Sequence, residues 1–466
     1  MLLPAAFTRR MERLLQSEYK DFTGALTQGA AATAIRLNPA KKPHPVFEDT
    51  TPVPWCQNAL LLTRRPQFTL HPPLHAGVYY VQEASSMFID QIIKQLQLDR
   101  QPLLAADLCA APGGKTTLLA SGLHPDSLVI ANEVIKTRTP VLTENVTKWG
   151  LPNIWVTAND TADFTPLGTI FDLVLTDAPC SGEGLFRKTP DAVQEWSEGN
   201  VQLCSARQRR ILANAARLVK SGGYLIYSTC TYAEEENEQN AAWIAAEYGF
   251  ESVQLMLQPQ WGITQTQTPL PNGKTVYGYR FYPHKTVGEG FFVACLQKQQ
   301  SHAPSSGKQD FGKKLGKQPF EKLPKKLIPM VQNRLQNPDA YTFYQKNQAE
   351  IFAVPNNYAH LLPHIAIGLV VKQAGILMGE VKGNELVPAP ALALSIEISG
   401  NVPRVELDLP DALAFLRKQN FAAPLPDNLR GWTLVTYQLH PLGWIKALPN
   451  RYNNYHPTEW RIKNLL

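Results

Sequence analysis

Between residues 100 and 300 the chain repeats one pattern: a short apolar run that ends on polar residues or glycine, then a longer amphipathic stretch. The apolar runs lie at 103–108, 127–131, 154–158, 171–175 and 224–228. They are continuous rather than alternating, the texture of strands covered on both faces. Helical periodicity fills the gaps at 117–121, 139–149, 201–218 and 239–248, with Ser221-Gly222-Gly223 expected to stop the third helix. Strands alternating with helices predict an α/β fold on a doubly wound, Rossmann-like parallel sheet. Two further runs, 279–284 and 290–296, predict antiparallel edge strands that close it.

The flanks have other textures. Residues 1–74 open with an amphipathic helix over 7–19, with Phe7, Met11, Leu14 and Leu15 on one face, and continue through proline-rich connectors at 39–54 and 66–73. A small α+β domain is expected there, ahead of the main unit at 75–300. From 301 to 330 seven lysines stand against two acids among glycines, serines and prolines, which reads as a basic linker holding +5 of the chain's net +6. A short helix at 329–335 and short strands over 351–388, turning at Gly375, Gly379 and Gly383, predict a small intermediate domain at 331–388. Helices at 388–398 and 411–419 and a hairpin of 433–437 with 442–447 make 389–466 a last α+β domain.

The chain's 466 residues and 44% apolar content suit several globular domains. The positive charge favours a polyanionic partner. In the tail, Tyr452, Tyr455 and Trp460 interleave with Lys446, Arg451 and Arg461, which suits stacking on bases or packing on an RNA backbone as well as it suits a hairpin packed on its own domain. None of the six cysteines forms a CxxC pair, which argues against a metal site. No apolar run is long enough to span a bilayer, and the start lacks a signal peptide's apolar core. A reduced, cytoplasmic protein without membrane contact is expected, as a monomer.

The ends of the parallel strands collect the chemistry. The first run leads into Cys109-Ala110-Ala111-Pro112-Gly113-Gly114-Lys115-Thr116. This is not a P-loop, since Cys109 stands where the first glycine belongs, and it is not GxGxxG. It is a glycine turn into a helix, where backbone approaches a ligand and helix amides meet an anion; the methionine carboxylate of S-adenosylmethionine would fit. Glu133 ends the second run in a position suited to ribose hydroxyls. Asn159-Asp160 ends the third, where adenine would lie. The fourth ends in Thr176-Asp177-Ala178-Pro179-Cys180-Ser181-Gly182 and the fifth in Thr229-Cys230-Thr231. Two thiols beside a nucleoside cofactor have a chemical meaning. A pyrimidine ring carbon is a poor nucleophile, but a thiolate adding at C6 makes C5 electron-rich enough to take a methyl group from a sulfonium. The loop 182–188, with Arg187 and Lys188, either holds a phosphate backbone or is simply exposed.

The stretches 107–115, 177–182 and 227–231, with Glu236-Asn237-Glu238, resemble those of the RNA cytosine-5 methyltransferases, the NOL/NOP/Sun family, over about 75–297. Glu83 departs from the aspartate frequent there, and Asn159-Asp160 from the usual Asp-Gly. Leu442-Gly443-Trp444-Ile445-Lys446 with Asn450-Arg451 is similar to a bacterial branch that ends in a PUA-like RNA-binding domain. The resemblance implies a Rossmann-like methyltransferase domain using S-adenosylmethionine, between an RRM-like RNA-binding lead-in and a PUA-like end. It implies Cys230 as nucleophile at C6, Cys180 in release of the product, Asp177 at N3 and the exocyclic amine, and Lys115 near base or cofactor. It implies cofactor contacts from Cys109, Ala110, Ala111, Pro112, Gly113, Gly114, Lys115, Glu133, Asp160 and Asp177, with Arg138 in support. The expected partner is 16S ribosomal RNA in the 30S subunit, not DNA, with the target base flipped out or single-stranded. Transfer RNA as substrate, and a non-catalytic assembly factor, stay as alternatives; so does the choice between Asn159 and Asp160 at adenine.

Overall fold

The computed structural model describes residues 2–41, 47–300 and 319–463. At its centre is a ten-stranded mixed sheet. Five of its strands, Leu104–Asp107, Leu128–Asn132, Ile154–Thr157, Phe171–Asp177 and Val219–Thr229, pair in parallel. Across the sheet they stand third, second, first, fourth, fifth in chain order. The order reverses between the first and fourth, so Asp107 and Asp177 flank the crevice where doubly wound sheets bind ligands. Leu104, Ala106, Leu128, Ile130 and Val174 share one core with Leu212 and Ala215 of the helix Glu198–Leu218 and Ile244 of the helix Glu238–Tyr248. Ala105, Val129, Ala131, Leu173 and Leu175 share another with helices Ile89–Gln95, Gly114–Gly122 and Thr139–Trp149. Alternate residues thus meet apolar partners on both faces, the reason the runs do not alternate.

Three expectations change at this sheet. Helix Glu198–Leu218 has no glycine cap: Val219 is already extended, and Ser221-Gly222-Gly223 lie inside the next strand. There the register against Phe171–Asp177 shifts, and Gly222, at φ +78°, absorbs the irregularity. Thr275–Phe281 and Phe291–Lys298 do pair antiparallel and close the sheet, but neither is its edge, because Thr264–Pro269 adds a strand outside them. Its Thr-Gln-Thr-Gln-Thr sequence carries no apolar signal. At the far edge Val371–Ala374, from the expected intermediate domain, pairs antiparallel with Ile154–Thr157.

Four antiparallel strands form the N-terminal sheet, the last being Tyr79–Val81. Ahead of it, helices Ala5–Leu15 and Tyr19–Thr27 pack Phe7, Met11 and Phe22 on Phe186, Trp196, Tyr232 and Tyr282 of the main unit. Residues 301–318, with four of the linker lysines, lie outside the described residues, and Phe320–Lys322 already begins a five-stranded sheet that ends at Pro388. Where only strands were expected, helices Asn356–Ala359 and Leu362–Gly368 intervene. The last sheet sets Arg404–Glu406 parallel to Gly431–Tyr437, followed by His440–Leu448 and Arg451–Asn454. It shares a core with the N-terminal sheet through Ile35, Phe68 and Tyr79 against Phe415, Val435 and Ile445. The tail tyrosines take protein partners: Tyr452 stacks on Phe421 at 4.3 Å, and Tyr455 meets Trp432 edge-on at 4.5 Å.

Candidate active site

Strand Leu104–Asp107 hands the chain to the glycine turn. Gly113, at φ +113°, takes the left-handed conformation from which helix Gly114–Gly122 starts at once. A Cβ on Gly114 would stand 3.2 Å from the Tyr80 ring and 3.4 Å from the Gln82 amide. Between turn and wall lies a cavity of about 180 Å³, lined by Cys109, Ala110, Ala111, Pro112, Gly114 and Lys115 on one side and by Tyr80, Gln82, Glu83 and Ser86 on the other, together with Asp107 and Asp177. The buried Arg36 guanidinium ties the two sides, donating to Gln82 Oε1 at 2.9 Å and Thr117 Oγ1 at 2.6 Å. Asp107 is fully buried and accepts from Thr116 at 2.7 Å; burial pushes its carboxyl up to about 7.

Four expected cofactor residues stand outside that lining: Gly113, Glu133, Arg138 and Asp160. Glu133 accepts the Ile135 amide at 2.9 Å through Oε1, while its buried Oε2 receives no hydrogen bond and has Arg138 Nη1 at 3.5 Å. Arg138 also donates to Ala111 O at 2.6 Å, joining the second strand end to the glycine turn. Asn159 is buried, its Oδ1 taken by the Val370 amide at 2.8 Å and its Nδ2 given to Asp163 at 3.1 Å. Asp160 faces outward; the Ala162 amide, then Arg210 at 3.1 Å, hold its carboxyl below the usual range.

The thiols meet. Cys180 Sγ and Cys230 Sγ are 3.1 Å apart, and the Cys230 amide donates to Cys180 Sγ at 3.3 Å. They arrive on neighbouring parallel strands, Asp177 being level with Ser228. Its hydrogen bond to Cys230, then burial, push the Cys180 thiol well above the usual range. Beside them Lys115 Nζ donates to Asp177 Oδ2 at 2.8 Å, and Ser228 Oγ to Asp177 Oδ1 at 2.7 Å. Burial alone would lower the Lys115 ammonium, but the charge and hydrogen bond of Asp177 raise it above its ordinary value.

The loop after Cys180 is held by charges the sequence did not single out. Glu183 is fully buried and takes Arg10 of the first helix, Trp196 Nε1 at 2.7 Å and the Tyr232 amide at 3.0 Å. Arg187 is not free for phosphate: it donates to Glu289 at 3.0 Å and Gly288 O at 2.9 Å, with its side chain only 8% exposed. No metal-holding group of three or more His, Cys, Asp or Glu occurs among the described residues.

Three family models match in succession: the N-terminal domain of 16S rRNA methyltransferase RsmF over 3–84, 16S rRNA methyltransferase RsmB/F over 95–297, and the methyltransferase RsmF PUA domain over 402–462. The ribosomal RNA small subunit methyltransferase F of Aeromonas salmonicida is 32% identical over 422 residues, covering 87% of this chain and 84% of that one. Its counterpart in Aliivibrio salmonicida is 29% identical and covers 98% of both. Among solved structures, a methyltransferase homologue from Pyrococcus horikoshii superposes with a TM-score of 0.52 at 27% identity, over 63% of this chain and 94% of that one. The chain belongs to the 16S rRNA methyltransferase RsmB/F family.

Proposed function

We propose that this chain uses S-adenosylmethionine to methylate C5 of a cytosine in 16S ribosomal RNA, through a covalent bond between Cys230 and C6 of the base. The observation that carries the reading is the pair of sulfurs 3.1 Å apart at adjacent strand ends, beside the Lys115–Asp177 pair and the glycine-turn cavity.

The residues present fit the cofactor. The turn at Gly113-Gly114 is a cradle with little room for a Cβ, and the orphaned, buried Glu133 Oε2 is an acceptor suited to a ribose hydroxyl. Cys109 to Lys115 and Asp177 would hold the methionine end, and Glu133, supported by Arg138, the ribose. Asp160, the carboxylate left facing outward, is the choice for adenine. When bound, the cofactor supplies an electrophilic methyl group on sulfur.

The protein's part is to make C5 nucleophilic and then to let go. Cys230, as thiolate, adds to C6, and the C5=C6 electron pair becomes available at C5. Lys115, held by Asp177, is the cation beside the two sulfurs as Cys230 attacks. Asp177 steadies the adduct at N3 and the exocyclic amine. On the methylated adduct Cys180, having given its own proton to solvent, accepts the C5 proton as thiolate. The C5–H pair restores C5=C6, the C6–S bond breaks, and Cys230 leaves as thiolate.

The test is methyl transfer from labelled S-adenosylmethionine to unmodified 30S subunits, naked 16S RNA and transfer RNA, with the base identified by mass spectrometry. Label as 5-methylcytosine in 30S subunits or 16S RNA is the expected result. Label in transfer RNA alone overturns the substrate. Cofactor binding without transfer to any RNA favours an assembly factor.

A further inference from the structure

We infer that Glu236 positions the two sulfurs against each other, by bonding the loop of one cysteine and, through Ser181, the loop of the other; this rests on the covalent reading above. Glu236 is fully buried and lies just ahead of helix Glu238–Tyr248. Its Oε2 accepts the Ser181 amide at 3.0 Å and Gln208 Nε2 at 2.7 Å, and its Oε1 accepts the Ser181 hydroxyl. Ser181 Oγ is in turn 2.9 Å from Thr231 Oγ1. Ser181 and Thr231 each follow a cysteine directly, so one carboxyl joins the two dipeptides that carry the thiols.

The surroundings tighten the brace. Gln208 also donates to Pro179 O at 3.0 Å, which fixes the residue on the other side of Cys180. The Tyr227 hydroxyl, from the strand leading to Cys230, donates to the backbone carbonyl of Glu236 and lies 3.1 Å from Gln208 Oε1. Asn240 donates to the same Gln208 oxygen at 2.9 Å, which sets the amide so that its nitrogen faces Glu236. Every bond to the Glu236 carboxyl is thus donated by a group that is itself held.

A buried carboxyl is a costly way to fill space, and an apolar side chain would pack there more cheaply. What the carboxyl adds is directional grip on backbone and hydroxyl together. Misplacing a reacting group by about 1 Å costs on the order of 100-fold in rate. Glu236 has no hydrogen bond to either sulfur, so it is a positioning residue rather than a catalytic one. The step it governs is release. Cys230 can add to C6 without its neighbour, whereas Cys180 must reach the C5 proton of an adduct already fixed on Cys230.

The experiment uses the full chain with 30S subunits and S-adenosylmethionine, and compares Glu236→Gln, Ser181→Ala and Cys180→Ala. Cofactor Kd, RNA KM, kcat and the denaturation-resistant RNA–protein adduct are measured for each. For Glu236→Gln the expected result is Kd and KM within about twofold of wild type, kcat lower by about 10- to 100-fold, and accumulated adduct. Ser181→Ala moves the same way by less, and carries the test if Glu236→Gln does not fold. Wild-type turnover in both variants, or turnover lost without accumulation of adduct, overturns the inference. If Cys180→Ala itself accumulates no adduct, the covalent reading fails and takes this inference with it. If Cys180→Ala accumulates adduct and the two brace variants do not, only the role of Glu236 falls.

Discussion

The two halves of the strand-end crevice are built differently. The cofactor half, at the first three strand ends, is backbone and short side chains: a glycine turn, two buried carboxyls that each keep an oxygen without a hydrogen bond, and a wall from the N-terminal sheet. The thiol half, at the fourth and fifth, is two loops held by groups that come from far along the chain, Arg10 on the buried Glu183 and the buried Glu236 on Ser181. A cofactor needs a shaped cradle, which adjacent residues can make. Two sulfurs 3.1 Å apart on separate loops need their backbones clamped, which takes groups from outside both loops. Damage in one half should therefore leave the other working.

The largest effects separate the halves most cleanly. Cys230→Ala should abolish the adduct and lower methyl transfer by at least about 10⁴-fold, while cofactor affinity measured by calorimetry stays unchanged. Cys180→Ala should instead form the adduct and keep it. If Cys180→Ala alone prevents the adduct, the two roles are exchanged. Next, Arg10→Ala leaves Glu183 buried without its cation, at a cost of about 3–5 kcal/mol in denaturant unfolding. Transfer should fall as the loop after Cys180 loosens, again with cofactor affinity intact. A matching loss of cofactor affinity would show the halves to be one unit.

The cofactor half has its own signature, in pH. Burial lifts the Asp107 carboxyl from 3.8 to about 7 in the folded chain. Between these values the unfolded chain gives up a proton that the folded chain keeps. Stability contributed by the neutral acid is therefore full below about pH 4 and is lost as pH rises through 7. Asp107→Asn removes that loss. Each pH step between the two values counts for about 1.4 kcal/mol, so the variant's unfolding free energy should gain on wild type by about 2–4 kcal/mol from pH 4 to pH 8. A constant difference across that range would mean that Asp107 is ionised in the fold.

What was legible in the sequence follows the same divide. Asp177, Cys180 and Cys230 announce themselves because each follows the stop of an apolar run, and Lys115 because it closes the glycine turn after another; the parallel sheet brings those stops together. Of the groups that hold them, Glu236 stands in a stretch that carries the resemblance, but its bracing role and its partners have no local mark. Arg10 and Glu183 are 173 positions apart, and Gln208 and Glu236 are 28 apart on different elements. Arg187 misled for the same reason: its basic loop is neutralised by Glu289, 102 positions on. The sheet edges hid in another way. Thr264–Pro269 is polar, and Val371–Ala374 lies beyond a change of domain texture.

The smallest effect decides between neighbours. Asn159 and Asp160 both follow the third strand, but their side chains are committed differently. The Asn159 amide is spent on the Val370 amide and Asp163, which seams Val371–Ala374 to the sheet. Asp160 keeps a half-exposed carboxylate whose ion pair with Arg210 is largely in solvent, and exposed pairs contribute about 0–1 kcal/mol. Asp160→Ala should therefore weaken S-adenosylmethionine by about tenfold, equivalent to about 1.4 kcal/mol, with unfolding nearly unchanged. Asn159→Ala should do the reverse, lowering stability by about 1–3 kcal/mol because the Val370 amide loses its acceptor. If Asn159→Ala costs cofactor affinity and Asp160→Ala does not, adenine lies against the buried residue, and the added strand is part of the cofactor site rather than its support.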